Sequence, residues 1–141
     1  MAKPRTISEI MTRNVVTLFE EENLAQVREN LARYHFHHLP VVDDGKLVGM
    51  LSQRDMMRAT VTGLDRGAAA QSREDRFLEQ TFVRDLMETK VITAVESDTI
   101  KDAAKRMMER RIGALPVVDA DNNLIGIVTE NDLVRTIVDE P

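Results

Sequence analysis

Two short runs hold the side chains best suited to chemistry. Ser52-Gln53-Arg54-Asp55 and Thr129-Glu130-Asn131-Asp132 each place a hydroxyl three residues before a carboxylate. At a helix start that spacing forms a capping box, in which hydroxyl and carboxylate satisfy each other's backbone N–H groups. This reading needs no ligand. The same geometry also suits a nucleotide. A helix N-terminus offers unpaired N–H groups and a partial positive charge to phosphate, and an acidic side chain one turn in can accept the hydroxyl protons of a ribose. Gly49 and Gly126 precede the two runs, and without a side chain each would let a flat ring approach the strand. The hydroxyl can cap while the carboxylate binds, so the two readings are compatible.

The other residues of chemical interest offer less. His35-Phe36-His37-His38 is the one histidine cluster, and it invites a metal reading. A structural zinc site takes four ligands, usually with cysteine or with histidines on one helix face. The chain has no cysteine, which also removes disulfides and thiol catalysis. Solvated or phosphate-facing histidines are the expectation, with metal content worth checking. No serine elbow, phosphate-binding glycine loop or catalytically spaced carboxylate pair occurs. An enzyme is not expected.

The elements that position the two runs come in two copies. Leu39-Pro40-Val41-Val42-Asp43 returns as Leu115-Pro116-Val117-Val118-Asp119, and Leu47-Val48-Gly49-Met50-Leu51 as Leu124-Ile125-Gly126-Ile127-Val128. Pro40 and Pro116 lie 76 positions apart (116 − 40), Asp55 and Asp132 77 apart (132 − 55). The extra residue falls in the second turn, where insertions cost least.

Each copy begins with an amphipathic lead-in, Ile7–Met11 or Val83–Met87, and a β-branched triplet, Val15-Val16-Thr17 or Val91-Ile92-Thr93, that suits a short strand. A helix follows, capped by Asn23 with Gln26 or Thr99 with Asp102. Its apolar stripe reads Leu24, Val27, Leu31 and Tyr34 in one copy, and Ile100, Ala103, Ala104, Met107 and Met108 in the other. Then come a hairpin, turning through Asp44-Gly45 in the first copy, and a second helix. Met56, Met57 and Val61, or Leu133, Val134 and Val138, should face inward from that helix. Residues 62–82 have no counterpart and read as a linker whose second part forms a short helix.

The chain has 141 residues and a net charge of −5. Halves of roughly 55 residues bury too little to stand alone comfortably, so a shared core is expected. Scattered basic residues argue against nucleic acid. No apolar run approaches the ~20 residues that span a bilayer, and the N-terminus carries no apolar signal core. No membrane association and a cytoplasmic location are expected.

The order of these motifs, written twice, resembles a tandem pair of CBS domains, the Bateman module. The matching features are h-h-T, a helix, L-P-V-V-D, and G-h-h-S/T-x-x-D, over residues 7–61 and 83–138. The resemblance implies an α/β (α+β) fold of two CBS repeats, each strand-helix-hairpin-helix, packed with pseudo-two-fold symmetry. It further implies two clefts that can hold adenosine compounds. In such modules the S/T-x-x-D aspartate holds the ribose, the h-h-T backbone meets the adenine, and residues before L-P-V approach the phosphates. By resemblance the clefts are shared between copies. One groups Asp132 and Thr129 with Val15, Val16, Thr17, His37 and His38. The other groups Asp55 and Ser52 with Val91, Ile92, Thr93, Gly113 and Ala114. Arg54 adds a permanent charge near the first motif.

The histidines make the Asp132 cleft the better phosphate site, because glycine and alanine offer no side-chain donor. A free-standing adenine-nucleotide sensor is the expected function, with AMP, ADP or ATP as regulatory ligand and no required cofactor. A homodimer is expected, and its output passes to itself or to a protein partner. The rival is a ligand-independent interaction scaffold in which S/T-x-x-D only caps helices.

Overall fold

A computed structural model of the chain describes residues 5–34, 37–60 and 68–140. A 3-10 turn at Ile7–Glu9 is followed by α1 (Leu24–Tyr34), β1 (His38–Asp43), β2 (Lys46–Ser52) and α2 (Gln53–Thr60). Next come α3 (Ala68–Gln80) and α4 (Val83–Leu86), then α5 (Ile100–Arg110), β3 (Ala114–Val118), β4 (Leu124–Thr129) and α6 (Glu130–Val138). No helix among the described residues is long and apolar enough to cross a membrane.

Two compact units result, and they do not coincide with the two sequence copies. The first-copy unit holds Val16–Asp44 and Val48–Val91; the second-copy unit holds the chain up to Val15, Gly45–Leu47, and everything from Ile92. The lead-ins are thus exchanged. Ile7 and Met11 are buried with Ala94, Ala103, Met107, Leu115, Val117 and Val128, while Val83 is buried with Leu18, Leu24, Val27, Leu39, Val41 and Leu51.

Each exchanged lead-in pairs with the outer edge of a hairpin. Thr12 and Ile127 exchange two backbone hydrogen bonds of 2.9 Å, and so do Glu88 and Met50. A glycine makes room in both cases. A Cβ on Gly126 would stand 2.8 Å from Met11 Sδ and 3.0 Å from Thr12 O. The expectation that Gly49 and Gly126 open the strand to a flat ring is therefore corrected: the space belongs to Met87 and Met11.

The capping expectations hold because they are local. Asn23 and Gln26 exchange hydrogen bonds of 3.0 and 3.2 Å, and Thr99 and Asp102 exchange bonds of 3.0 and 3.1 Å. The triplets do not form strands. Pairing with the hairpin occurs one residue later and only once, at Leu18 beside Val41 and at Ala94 beside Val117.

The first hairpin turns through Asp44 (φ 50°) and Gly45 (φ 80°), the two left-handed positions of a type I′ turn. In the second hairpin Asp119 Oδ1 accepts the N–H groups of Asp121 and Asn123, both at 2.9 Å. The extra residue of that turn is put to use. Within the second-copy unit Asn122 Nδ2 donates to Leu47 O at 2.9 Å, Asn122 O accepts from Leu47 N at 3.1 Å, and Lys46 Nζ donates to Asp121 O at 2.7 Å.

Several expected core positions face solvent. Met56 is buried, but Met57 is 60% exposed; Leu133 joins the core periphery, but Val134 is 55% and Val138 73% exposed. Met108 is 79% exposed, one helical turn beyond half-buried Ala104 on α5. Val61 and the Tyr34 side chain lie outside the described residues. The segment read as a linker holds the 13-residue α3, which packs on α1 and brings Leu78 into the first-copy core at 0% exposure.

Candidate functional site

Both S/T-x-x-D runs fold as closed capping boxes at the start of a helix. Ser52 N–H donates to Asp55 Oδ2 and Asp55 N–H to Ser52 Oγ, each at 3.1 Å. Thr129 N–H donates to Asp132 Oδ2 at 2.8 Å and Thr129 Oγ1–H to the same oxygen at 3.1 Å. Asp132 N–H completes the box on Thr129 Oγ1 at 3.4 Å. In both copies the box uses one carboxylate oxygen. The second, Oδ1, accepts no hydrogen bond among the described residues, and both aspartates are half-buried. A carboxylate held rigidly through one oxygen keeps two lone pairs for a diol.

The residues preceding L-P-V-V sit beside the box of their own copy. Gln53 N–H donates to His37 O at 2.9 Å, and Glu130 N–H donates to Gly113 O at 3.0 Å. Hairpin geometry requires this, because the start of the first strand lies next to the end of the second. His37 Nδ1 and Gln53 Oε1 are 2.7 Å apart, a contact satisfied by the Nδ1–H tautomer. His37 and Arg54 are exposed, His38 is half-buried at the start of β1, and Ala114 is buried at the start of β3.

The triplets arrive at the same ends. Leu18 N–H donates to Pro40 O at 2.9 Å, which lays Val16 and Thr17 along the His38 end of β1. Ala94 N–H donates to Pro116 O at 2.9 Å, which lays Ile92 and Thr93 along the Ala114 end of β3. Each unit therefore gathers site residues of one copy: Val16, Thr17, His37, His38, Ser52, Arg54 and Asp55 in one, and Ile92, Thr93, Gly113, Ala114, Thr129 and Asp132 in the other. Val15 ends the chain's first passage through the second-copy unit, and Val91 closes the first-copy unit. The grouping implied by the resemblance, Asp132 with His37 and Asp55 with Gly113, draws instead on both units.

His35 lies outside the described residues, and among those described no three His, Asp or Glu side chains gather into a metal-binding group. One contact was invisible at the sequence level: Arg106 Nη1 donates to Thr93 O at 3.0 Å and to Asp98 Oδ2 at 3.0 Å. The spacings 93–106 and 98–106 match no local motif.

Comparison with known proteins agrees with this architecture. The CBS domain family model matches residues 7–62 and 83–139. The protein MJ1426 of Methanocaldococcus jannaschii is 34% identical, covering 94% of this chain and 90% of that protein. MJ1225 of the same organism is 37% identical over 92% of this chain, which spans 46% of that relative's length. Among solved structures, CBSX2 in complex with AMP is 28% identical, with a TM-score of 0.79 over 95% of this chain and 96% of that one. The CBS domain pair of MJ0100, in complex with 5′-methylthioadenosine and S-adenosyl-L-methionine, is 26% identical, with a TM-score of 0.78 over 96% and 98%. With two matched segments in tandem and the fold of a CBS pair, this chain belongs to the CBS domain family.

Proposed function

We propose that this CBS pair is a non-enzymatic regulatory protein that binds an adenosine-containing ligand of the AMP, ADP or ATP class. The observation that carries the reading is the half-used carboxylate of each box. Asp55 and Asp132 are held by Oδ2 and leave Oδ1 without a donor among the described residues. The bound ligands of the two similar structures, AMP in one and thioether or sulfonium adenosines in the other, share the ribose that such a carboxylate would hold. In the family's grouping, Asp132 and Thr129 act with Val15, Val16, Thr17, His37 and His38, and Asp55 and Ser52 with Val91, Ile92, Thr93, Gly113 and Ala114. The Asp132 site then binds a phosphorylated nucleotide better than the Asp55 site does, because its group contains the imidazoles of His37 and His38.

The ligand acts by differential affinity for two arrangements of the chain, and it can shift that equilibrium by no more than that difference. The readout is a homodimer or a protein partner, in the cytoplasm, with no required cofactor. The dimer has support in the second-copy unit. There α5 and α6 pack side by side and expose Met108, Val134, Ile137 and Val138, while on the first copy α3 covers α1. Exposed Lys101, Lys105, Arg110 and Arg111 outnumber Asp102 and Glu109 around α5, whereas exposed Glu130 at the start of α6 and Asp139 and Glu140 after its end outnumber Arg135. A second copy turned so that α5 meets α6 pairs these opposite charges.

The competing reading is a scaffold in which the boxes only cap helices; it is favoured by the boxes being closed without any ligand. A thermal-shift panel of AMP, ADP, ATP and S-adenosylmethionine, on the wild type and on Asp132→Asn and Asp55→Asn, separates the two. Ligand at 100 times its Kd adds about 2.7 kcal/mol, several degrees for a domain of this size. Asparagine keeps an acceptor for the cap and loses the charge for the ribose, so the shift should shrink in the variants. No shift with any compound, in protein free of co-purified nucleotide, establishes the scaffold.

A further inference from the structure

The two h-h-T segments are secured differently. Ala94 directs its N–H and C=O to β3, pairing with Pro116 O at 2.9 Å and with Val118 N at 3.0 Å. Alternation along an extended chain then turns the backbone groups of Thr93 and Val95 to the opposite, open edge. At that edge Asp98 Oδ2 accepts Val95 N–H at 3.0 Å, and Arg106 Nη1 donates to Thr93 O and to Asp98 Oδ2, both at 3.0 Å. The pair is substantially shielded, with the Arg106 side chain 32% and the Asp98 side chain 20% exposed. A guanidinium suits this place because it can serve a carbonyl and a carboxylate together.

The first copy repeats only part of the arrangement. Leu18 pairs with β1 as Ala94 pairs with β3, and Glu22 Oε1 accepts Phe19 N–H at 2.8 Å as Asp98 accepts Val95 N–H. The position equivalent to Arg106 is Asn30. Thr17 O accepts no hydrogen bond among the described residues. One triplet is thus held from both edges and its counterpart mainly from one.

We infer that Arg106 is a positioning residue: through Thr93 O and Asp98 it pre-orders Val91–Thr93 for ligand, and it makes the two binding sites unequal. The inference rests on the adenosine reading, in which Val91, Ile92 and Thr93 belong to the Asp55 site. A segment already fixed before binding loses less freedom on binding, and that difference appears as affinity. The Asp132 site, served by Val15–Thr17, shows no such device among the described residues and should be indifferent to Arg106.

The test is calorimetric titration with AMP in two backgrounds, Asp132→Asn, which leaves the Asp55 site, and Asp55→Asn, which leaves the Asp132 site. Arg106→Gln should weaken binding about two- to tenfold in the first and less than about twofold in the second. Arg106→Lys, which keeps a cation beside Asp98, controls for folding and should give an intermediate loss in the first background. Hydrogen exchange on the ligand-free chain adds a readout independent of binding: the Val95 amide should exchange faster in Arg106→Gln, with the β3–β4 amides unchanged. Equal weakening in both backgrounds, or unchanged exchange at Val95, overturns the inference alone. Failure of the wild type to bind any of AMP, ATP and S-adenosylmethionine overturns the adenosine reading, and this inference with it.

Discussion

Met87 Sδ stands 2.5 Å from where a Cβ on Gly49 would be. Two further atoms crowd the same point, Met87 Cγ at 3.0 Å and Glu88 O at 3.2 Å. The glycine of the G-h-h-S/T pattern is therefore a seat for the exchanged lead-in. Gly49→Ala should destabilise the chain by about 1–3 kcal/mol, the usual cost of overpacking. Adding Met87→Ala removes the two side-chain contacts and leaves the backbone one, so rescue should be partial. Urea melts of the two single variants and the double variant, read as a thermodynamic cycle, check this. Strictly additive losses would mean that Met87 does not occupy the seat.

Leu78 tests whether α3 is more than a tether. The side chain is fully buried with Leu24, Val27 and Val83. Leu78→Ala should cost about 2–5 kcal/mol, as other buried leucine truncations do. Exposed Glu79→Ala on the same helix should change stability by less than about 0.5 kcal/mol. Chemical denaturation of both variants gives the comparison. Equal effects would return the segment to the linker it resembles in sequence.

Acid should loosen the second-copy unit through two carboxylates. The Thr99 backbone N–H, then its hydroxyl, hold Asp102 below the ordinary carboxylate value. Hydrogen bonds from the Asn123 side chain and then its backbone do the same for Asp119. A carboxylate whose pKa is lower folded than unfolded binds fewer protons when folded. Its contribution is present above the unfolded value and is lost as pH falls through the folded one. Stability should therefore drop below about pH 4. Asp102→Asn and Asp119→Asn should flatten that part of the profile, as measured by thermal melts between about pH 2.5 and 6. A profile unchanged in both variants would rule out these two groups as its source.

The exposed face of α5 and α6 makes an oligomer prediction. Ile137 is 73% and Val134 55% exposed, and they share a side of α6 with Val138. Replacing Ile137 with glutamate should leave the folded unit intact and shift a dimer toward monomer. Sedimentation velocity with and without added salt measures the shift. A monomeric wild type, or an unaltered dimer in the variant, would remove this face from consideration.

What could be read directly from the sequence was local or repeated. The capping pairs Asn23 with Gln26, Thr99 with Asp102, Ser52 with Asp55 and Thr129 with Asp132 span three residues, and their bonds form wherever a helix starts. The Asp44-Gly45 turn and the two hairpins follow from left-handed backbone preference and apolar alternation. The doubling of the unit follows from the spacing of Pro40 and Pro116.

Tertiary structure decided the rest, because each remaining feature depends on which distant residue arrives. Gly49 and Gly126 looked like openings for a ring until Met87 and Met11 filled them. Val134 and Val138 had the apolar character of core residues, yet α6 turns Leu133 inward and leaves them in solvent, since one helix can bury only one stripe. Leu78 gave no local sign of burial, and Arg106 gave none of holding Thr93. Periodicity and capping are properties of a few consecutive residues. Occupancy of a strand edge is a property of the folded chain.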